Sequence, residues 1–553
     1  MPIVILLLFL INFSTTGQSC LPQGITFSSQ ADIDNFQNFY PGCTEIEGNV
    51  MVHGEDVTDL TPLSVLIAIG GSFGIQFNPQ LTDLSGLENL TYIGGDLLMS
   101  FNTLLVSMEA LSGLTSLGGG LTVVNHPNLG SLAGLENLTS MGGGIFLENN
   151  PALAGLSPFS GITALDGNIV ICSLPMLTTL EGLGNISHIG GSLVIENNGN
   201  LSDITALGNL ISIDGDIWIV SNPALTGLSG LENVDAASVK DIWIAYNYSL
   251  SSCDILSLCD YLSAPGGTVD IHENTPGCSD IADIAGDCGF VMDCLPHGNY
   301  HLNDQSAIDG FQDDFPGCTE LKGSLVISGD QITNLSGLHA VTSVSGDLIL
   351  TVNSQLSGFG ALSNMTTIGG DLAIVGNNLI TDLSGLSGLT FLGSDLQIYN
   401  NVALNSLQGL GMLEPGSIDN LGIYYNSSLS ECETEAICNY LQDPNGEVDI
   451  FDNASGCNSQ GEVEQACEAQ SVAVKDIATN GLVYPNPAGK RLCINRELIP
   501  DCREVRIYNR LGCHVGGSER CCDVLDISFL EPGMYVVELL TNSRSFRTKI
   551  CVR

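Results

Sequence analysis

Two hydrophobic rhythms interleave along most of this chain. In short runs apolar residues stand two apart, as Leu97 and Met99, Ile145 and Leu147, Leu193 and Ile195, and Ile217 and Ile219. That is the period of a strand with one buried face. The residues after each run follow Leu-x-x-Leu-x-x-Leu instead, as in Leu81, Leu84, Leu87 and Leu90, which predicts an irregular arc folded over the same core. Run and arc alternate at a fixed step: Gly71, Gly95, Gly119, Gly143, Gly167, Gly191 and Gly215 fall 24 residues apart. A period of this length means a solenoid, in which each unit buries its apolar edge only against its neighbours. The glycine opening each strand marks a tight corner.

Seven residues past the corner mark of the repeat, a glycine in most coils, stands an asparagine: Asn78, Asn102, Asn150, Asn198, Asn222, Asn247, Asn353, Asn377, Asn401 and Asn426. A primary amide both donates and accepts, so the series predicts a structural ladder serving backbone groups at the bend. His126 and Leu174 interrupt it, predicting two looser or bent coils.

The repeats sit inside a larger duplication. Ile33, Phe36 and Pro41-Gly42-Cys43 return as Ile308, Phe311 and Pro316-Gly317-Cys318. Cys253, Cys259, Cys278 and Cys288 have the spacings of Cys432, Cys438, Cys457 and Cys467. The interval from Cys43 to Cys253 exceeds that from Cys318 to Cys432 by 96 residues, four units of 24. The reading is two capped solenoids, residues 20–290 with nine coils and 291–467 with five, spanning roughly 38 and 19 Å. Recurrence with each cap predicts bridges Cys20–Cys43 and Cys294–Cys318. Each cap quartet allows three pairings, which sequence leaves open. No short Cys-x-x-Cys appears, so no metal site is predicted there. Cys172, outside the duplicated set, is expected as a free thiol.

Nineteen cysteines suit an oxidising compartment. The apolar run Ile3–Ile11 reads as a signal peptide over residues 1–19. Before residue 475 there are two cations, Lys240 and Lys322, against 52 acids, whereas the last 79 residues hold 12 cations against nine acids. So acidic a body cannot neutralise phosphates, which makes nucleic acid and anionic membranes poor partners, and no nucleic-acid partner is expected. No cofactor is expected; the acidity suits at most a divalent cation such as calcium.

The phrase Ile-Gly-Gly-Asp-Leu-x-x-x-x-Asn-x-x-Leu-x-x-Leu-x-Gly-Leu-x-x-Leu, clearest at 93–114 and 368–389, resembles receptor L domains and their leucine-rich-repeat relatives. The resemblance covers about residues 20–467. It implies right-handed single-stranded β-helices with cysteine-bearing caps, used for extracellular recognition. After a polar linker at 468–482, the order Val483-Tyr484-Pro485-Asn486-Pro487, Val505–Asn509, Gly512, Leu530–Leu539 and Lys549-Ile550 is similar to the C-terminal sorting domain of type IX secretion. This resemblance, over 483–553, implies a small β-sandwich engaging the outer-membrane secretion machinery of a Gram-negative bacterium, and a secreted or outer-surface location. Its six cysteines would allow three bridges.

No His-Glu-x-x-His, Gly-x-Ser-x-Gly or phosphate loop occurs, and no catalytic residue is named. The recurring acids Asp96, Asp216, Asp241, Asp347, Asp371 and Asp395 suit corner capping. The better candidate is the outward strand face, where Phe146, Trp218 and Trp243 share one position of the repeat beside Glu196 and Tyr246. Aromatics there suit stacking on a sugar or filling a protein groove. Tyr399 and Tyr424 form a weaker analogue. The reading is a recognition or adhesion protein and not an enzyme. The alternatives are a β-helix enzyme acting on polysaccharide, or a structural surface spacer.

Overall fold

A computed structural model describes residues 19–476, 483–484, 488–494, 502–509, 514–518, 524–541 and 545–553. The signal-peptide run, except Ser19, lies outside the described residues, as do Cys513, Cys521 and Cys522. The chain is mainly β, built on long parallel sheets with few helices. Alternation of buried and outward residues produces this arrangement. Leu97, Leu121, Ile145 and Ile169 pair rung to rung with their side chains inward, so every repeat adds one strand to an eleven-stranded parallel sheet. A second, narrower parallel sheet forms from two-residue strands just before each corner. It is interrupted between Ser140–Met141 and Ala164–Leu165.

A seven-stranded parallel sheet with a four-stranded companion follows the same plan from Tyr300 to Phe451. Eleven and seven strands exceed the nine and five expected from the repeat, because the caps contribute strands of their own. These are Ile25–Phe27 and Val269–His272 for the first sheet, and Tyr300–Leu302 and Val448–Phe451 for the second. They lack the repeat phrase, which is why periodicity passed over them.

The returning arcs alternate between two forms in the first sheet. One contains a short 3-10 turn, at Thr61–Leu63, Glu109–Leu111, Ser157–Gly161 and Thr205–Leu207. The other turns on a left-handed glycine, at Gly86, Gly134, Gly182 and Gly230, with φ between 109° and 113°. A Cβ on Gly134 would lie 2.2 Å from the Met108 carbonyl oxygen, so only glycine fits there. The structural period of the arc is therefore two repeats.

The asparagines are fully buried and linked in series. Except at Asn78, whose Oδ1 is buried without a partner, each takes a backbone N–H from the preceding coil on its Oδ1; each gives its amide to a carbonyl there. Asn222 Oδ1 accepts from Asn198 N at 3.1 Å, and Asn222 Nδ2 donates to Ile195 O at 2.9 Å. The ladder continues into the caps through Asn274 and Asn453. The interruptions do not loosen the long sheet, whose register runs unbroken past both. His126 lies within hydrogen-bonding distance of Asn102 Nδ2 through its Nε2, and its own N–H reaches Asn150 Oδ1. Leu174 N–H still reaches Asn198 Oδ1.

Short helices close the ends. Ser29 caps Gln30–Asp34, which is followed by a second short helix, Phe36–Phe39. Their counterpart Gln305–Asp314 is continuous. The bridges are Cys20–Cys43, Cys253–Cys278, Cys259–Cys288, Cys294–Cys318, Cys432–Cys457 and Cys438–Cys467. Both quartets thus adopt the same pairing, first with third and second with fourth. Ser19 pairs with Glu45 in the narrow sheet. The helix Gln460–Asp476 continues past Cys467 through the first part of the proposed linker.

The two long sheets meet edge to edge. Val269 bridges Gly298 in parallel, and Asn299 N–H donates to Val269 O at 2.9 Å. One apolar core runs from Phe27 to Val463 across this junction. The tail has its own core between a three-stranded and a four-stranded sheet whose strand pairs are antiparallel. Cys502 is in a disulfide but Cys493 is a free thiol, so the six tail cysteines do not make three bridges.

Candidate functional site

Four neighbouring strands carry the site: β1 (Ile217–Val220), β2 (Ile242–Ala245), β3 (Val269–His272) and β4 (Tyr300–Leu302). On β1 and β2 the isoleucines point into the core, which by alternation turns the tryptophans outward. Parallel register then lines up one row of outward residues: Phe146, Val170, Val194, Trp218, Trp243 and Asp270. The row two residues further along contains Glu148, Cys172, Glu196, Val220, Ala245 and His272. Phe146, Glu196, Trp218 and Trp243 therefore share one sheet face.

The Trp218 and Trp243 ring centroids are 4.0 Å apart and tilted by 48°. Both indoles are half-buried, and their Nε1–H groups are covered without an acceptor, so what they present outward is ring surface. Phe146 is exposed, two strands removed from Val194. Tyr246, left-handed at φ 59° just past β2, is exposed and meets His272 edge-on with centroids 5.0 Å apart. Cys172 is a half-buried free thiol between Glu148 and Glu196, its pKa pushed up by burial, with the two carboxylates adding to the shift.

The second sheet bears a larger aromatic stack than the sequence disclosed. Tyr399 and Tyr424 lie 4.8 Å apart at 11°, and Phe451 of the cap strand continues the stack at 5.0 Å and 5°. The repeat pattern missed Phe451 because it lies in a strand without the repeat phrase. At the opposite end of the first sheet, exposed Phe77 and Phe101 stack at 4.9 Å.

The recurring acids are tied into corners. Asp96 Oδ1 accepts from Gly120 N, and Asp347, Asp371 and Asp395 accept from Asp371 N, Asp395 N and Asn420 N. Asn89 and Asn137, which begin Asn-x-Ser/Thr triplets, give their amides to Ser64 O and Ser112 O.

Where β3 meets β4, Asp270, His272 and His301 converge, a grouping the sequence reading did not name. Asp270 and His272 share a face because they are two apart on a strand; His301 reaches them only because the second sheet abuts the first. His301 Nε2 is 2.7 Å and His272 Nε2 3.6 Å from Asp270 Oδ1. The imidazoles lie face to face, centroids 3.8 Å apart. Burial and the adjacent His301 push the His272 pKa down to about 4 against the pull of Asp270. Burial alone would raise the Asp270 carboxyl, but His301 and the Asn299 amide outweigh it and hold it below its ordinary value. Among the described residues, these three form the group able to hold a metal ion; their chemistry suits nitrogen-preferring metals more than calcium.

Two family models match the chain. Residues 42–157 match the receptor L domain, and residues 482–553 match the secretion system C-terminal sorting domain. This is a secreted surface protein. The sorting domain links it to the type IX secretion machinery and to export to the cell surface or beyond. A search of curated proteins finds no match. No helix among the described residues is long and apolar enough to cross a membrane.

Proposed function

We propose that residues 20–467 are two copies of a capped, right-handed β-helical solenoid, and that the outward strand face of the first binds an extracellular protein or glycan. The tail is then a small β-sandwich that serves export. The observation that supports this reading best is the register of Trp218 with Trp243. It sets two large rings side by side on a rigid sheet, next to Tyr246 and in line with Phe146. Rigid aromatics lose little conformational entropy on binding and offer both apolar area and ring faces. The same geometry speaks for recognition over catalysis, since the recurring carboxylates are engaged with backbone N–H groups and not paired across a cleft.

The test is Trp218→Ala with Trp243→Ala in the exported protein, measured by pull-down of extracellular proteins and on a glycan array. Binding should fall at least tenfold while the unfolding curve keeps its shape. Full binding by the double variant would refute this site. If Tyr424→Ala and Phe451→Ala abolish binding instead, the second sheet is the recognition face.

A further inference from the structure

We propose that Asp270, His272 and His301 form a site for a divalent transition metal of the zinc class, and that the bound ion clamps the first sheet to the second. Two imidazole nitrogens and one carboxylate oxygen make a donor set that zinc accepts and that calcium and magnesium do not favour. One ligand atom from each residue lies within 4.8 Å of the others. A tetrahedral ion with bonds of about 2.05 Å requires donors about 3.3 Å apart, and the measured separations of 2.7 and 3.6 Å bracket that value.

Three further observations point to an ion. Asp270 Oδ1 and His301 Nε2 are buried and face each other at 2.7 Å, yet neither has a well-formed hydrogen bond. Buried polar atoms left in that state are costly, and a shared cation would satisfy both. The other carboxylate oxygen, Oδ2, accepts from Asn299 Nδ2 at 2.9 Å, while Asn299 Oδ1 accepts from Ser324 N at 2.9 Å. That chain orients the carboxylate from behind, as outer-shell partners of metal ligands do. On one side of the site, His301 also lines a cavity of about 520 Å³ between the helices Ile281–Asp287 and Gln305–Asp314.

Loading has a geometric consequence. A metal lies in the plane of each imidazole it binds, whereas these rings are 15° from parallel. They must tilt until one point lies in both planes, a rotation about the soft terminal torsion of histidine. Because two ligands come from β3 and one from β4, the ion would add a cross-link to the Val269–Gly298 bridge and the Asn299–Asp270 hydrogen bond.

The experiment uses the full chain, stripped with chelator and titrated calorimetrically with zinc chloride. One tight site per chain is expected, with affinity lowered about 100-fold or more by His301→Ala or His272→Ala. Weak binding at many sites, as an acidic surface gives, would overturn the proposal, and so would tight binding that His301→Ala leaves unchanged. Two measurements on the unmodified protein need no variant to fold. Substituted Co(II) should show the ligand-field spectrum of nitrogen and oxygen donors, and an aquo-ion spectrum contradicts the site. Zinc should also slow amide exchange at Asn299, whose N–H crosses the junction; unchanged exchange in zinc-saturated protein rules out the clamp.

Discussion

Replacing Asn222 by alanine probes whether the buried amides hold the stack together or merely fill it. Asn222 Oδ1 accepts from the backbone N–H of Asn198 at 3.1 Å, and its Nδ2 donates to Ile195 O at 2.9 Å and Val220 O at 3.0 Å. Val220 O keeps another donor, the Asn197 N–H. The side chain is fully buried, so water cannot replace what is lost. Alanine therefore orphans one buried N–H and strips one donor from Ile195 O, each worth about 1–3 kcal/mol, for a total of about 2–6 kcal/mol. Asn209→Ala is the matched control: its amide bonds Gly184 O at 2.6 Å but on the exposed surface, where the loss should stay below about 1 kcal/mol. Since each coil couples only to its neighbours, the damage should be local. Amide exchange should accelerate most at Asn198 and in the strands Leu193–Glu196 and Ile217–Val220, with a smaller shift in overall denaturant midpoint. If Asn222→Ala costs no more than Asn209→Ala and Asn198 stays protected, the ladder is not what holds adjacent coils together.

Two other outcomes follow. His126 is buried in the ladder, which pushes its pKa from 6.5 down to about 4; the unfolded chain then binds a proton that the folded chain refuses. Stability should fall as pH drops from about 6.5 towards about 4, by about 3 kcal/mol in all, and His126→Asn should remove that part of the pH dependence in urea unfolding curves. Deleting residues 483–553 should leave the protein inside the cell, read by comparing medium, surface and periplasmic fractions, because the sorting domain occupies 482–553; normal export of the truncated chain would contradict that role.

The boundary between what sequence and tertiary structure determine runs through particular residues. The 24-residue step, the inward Leu97 and Met99, and the row of Phe146, Trp218 and Trp243 were legible from the chain alone, because in a stack of strands sequence period and spatial neighbour coincide. The cap strands, Phe451 at the end of its stack and the pairing within each cysteine quartet were not, because they lie outside the repeat and are placed by packing. The two-repeat alternation of the arcs was likewise hidden, since it depends on left-handed glycines at Gly86 and Gly134 and not on hydrophobic period. Most distant from any local rule is the meeting of Asp270 and His272 with His301. It depends on one sheet ending where the next begins, and an edge of unpaired backbone groups finds its partner only when the whole chain has folded.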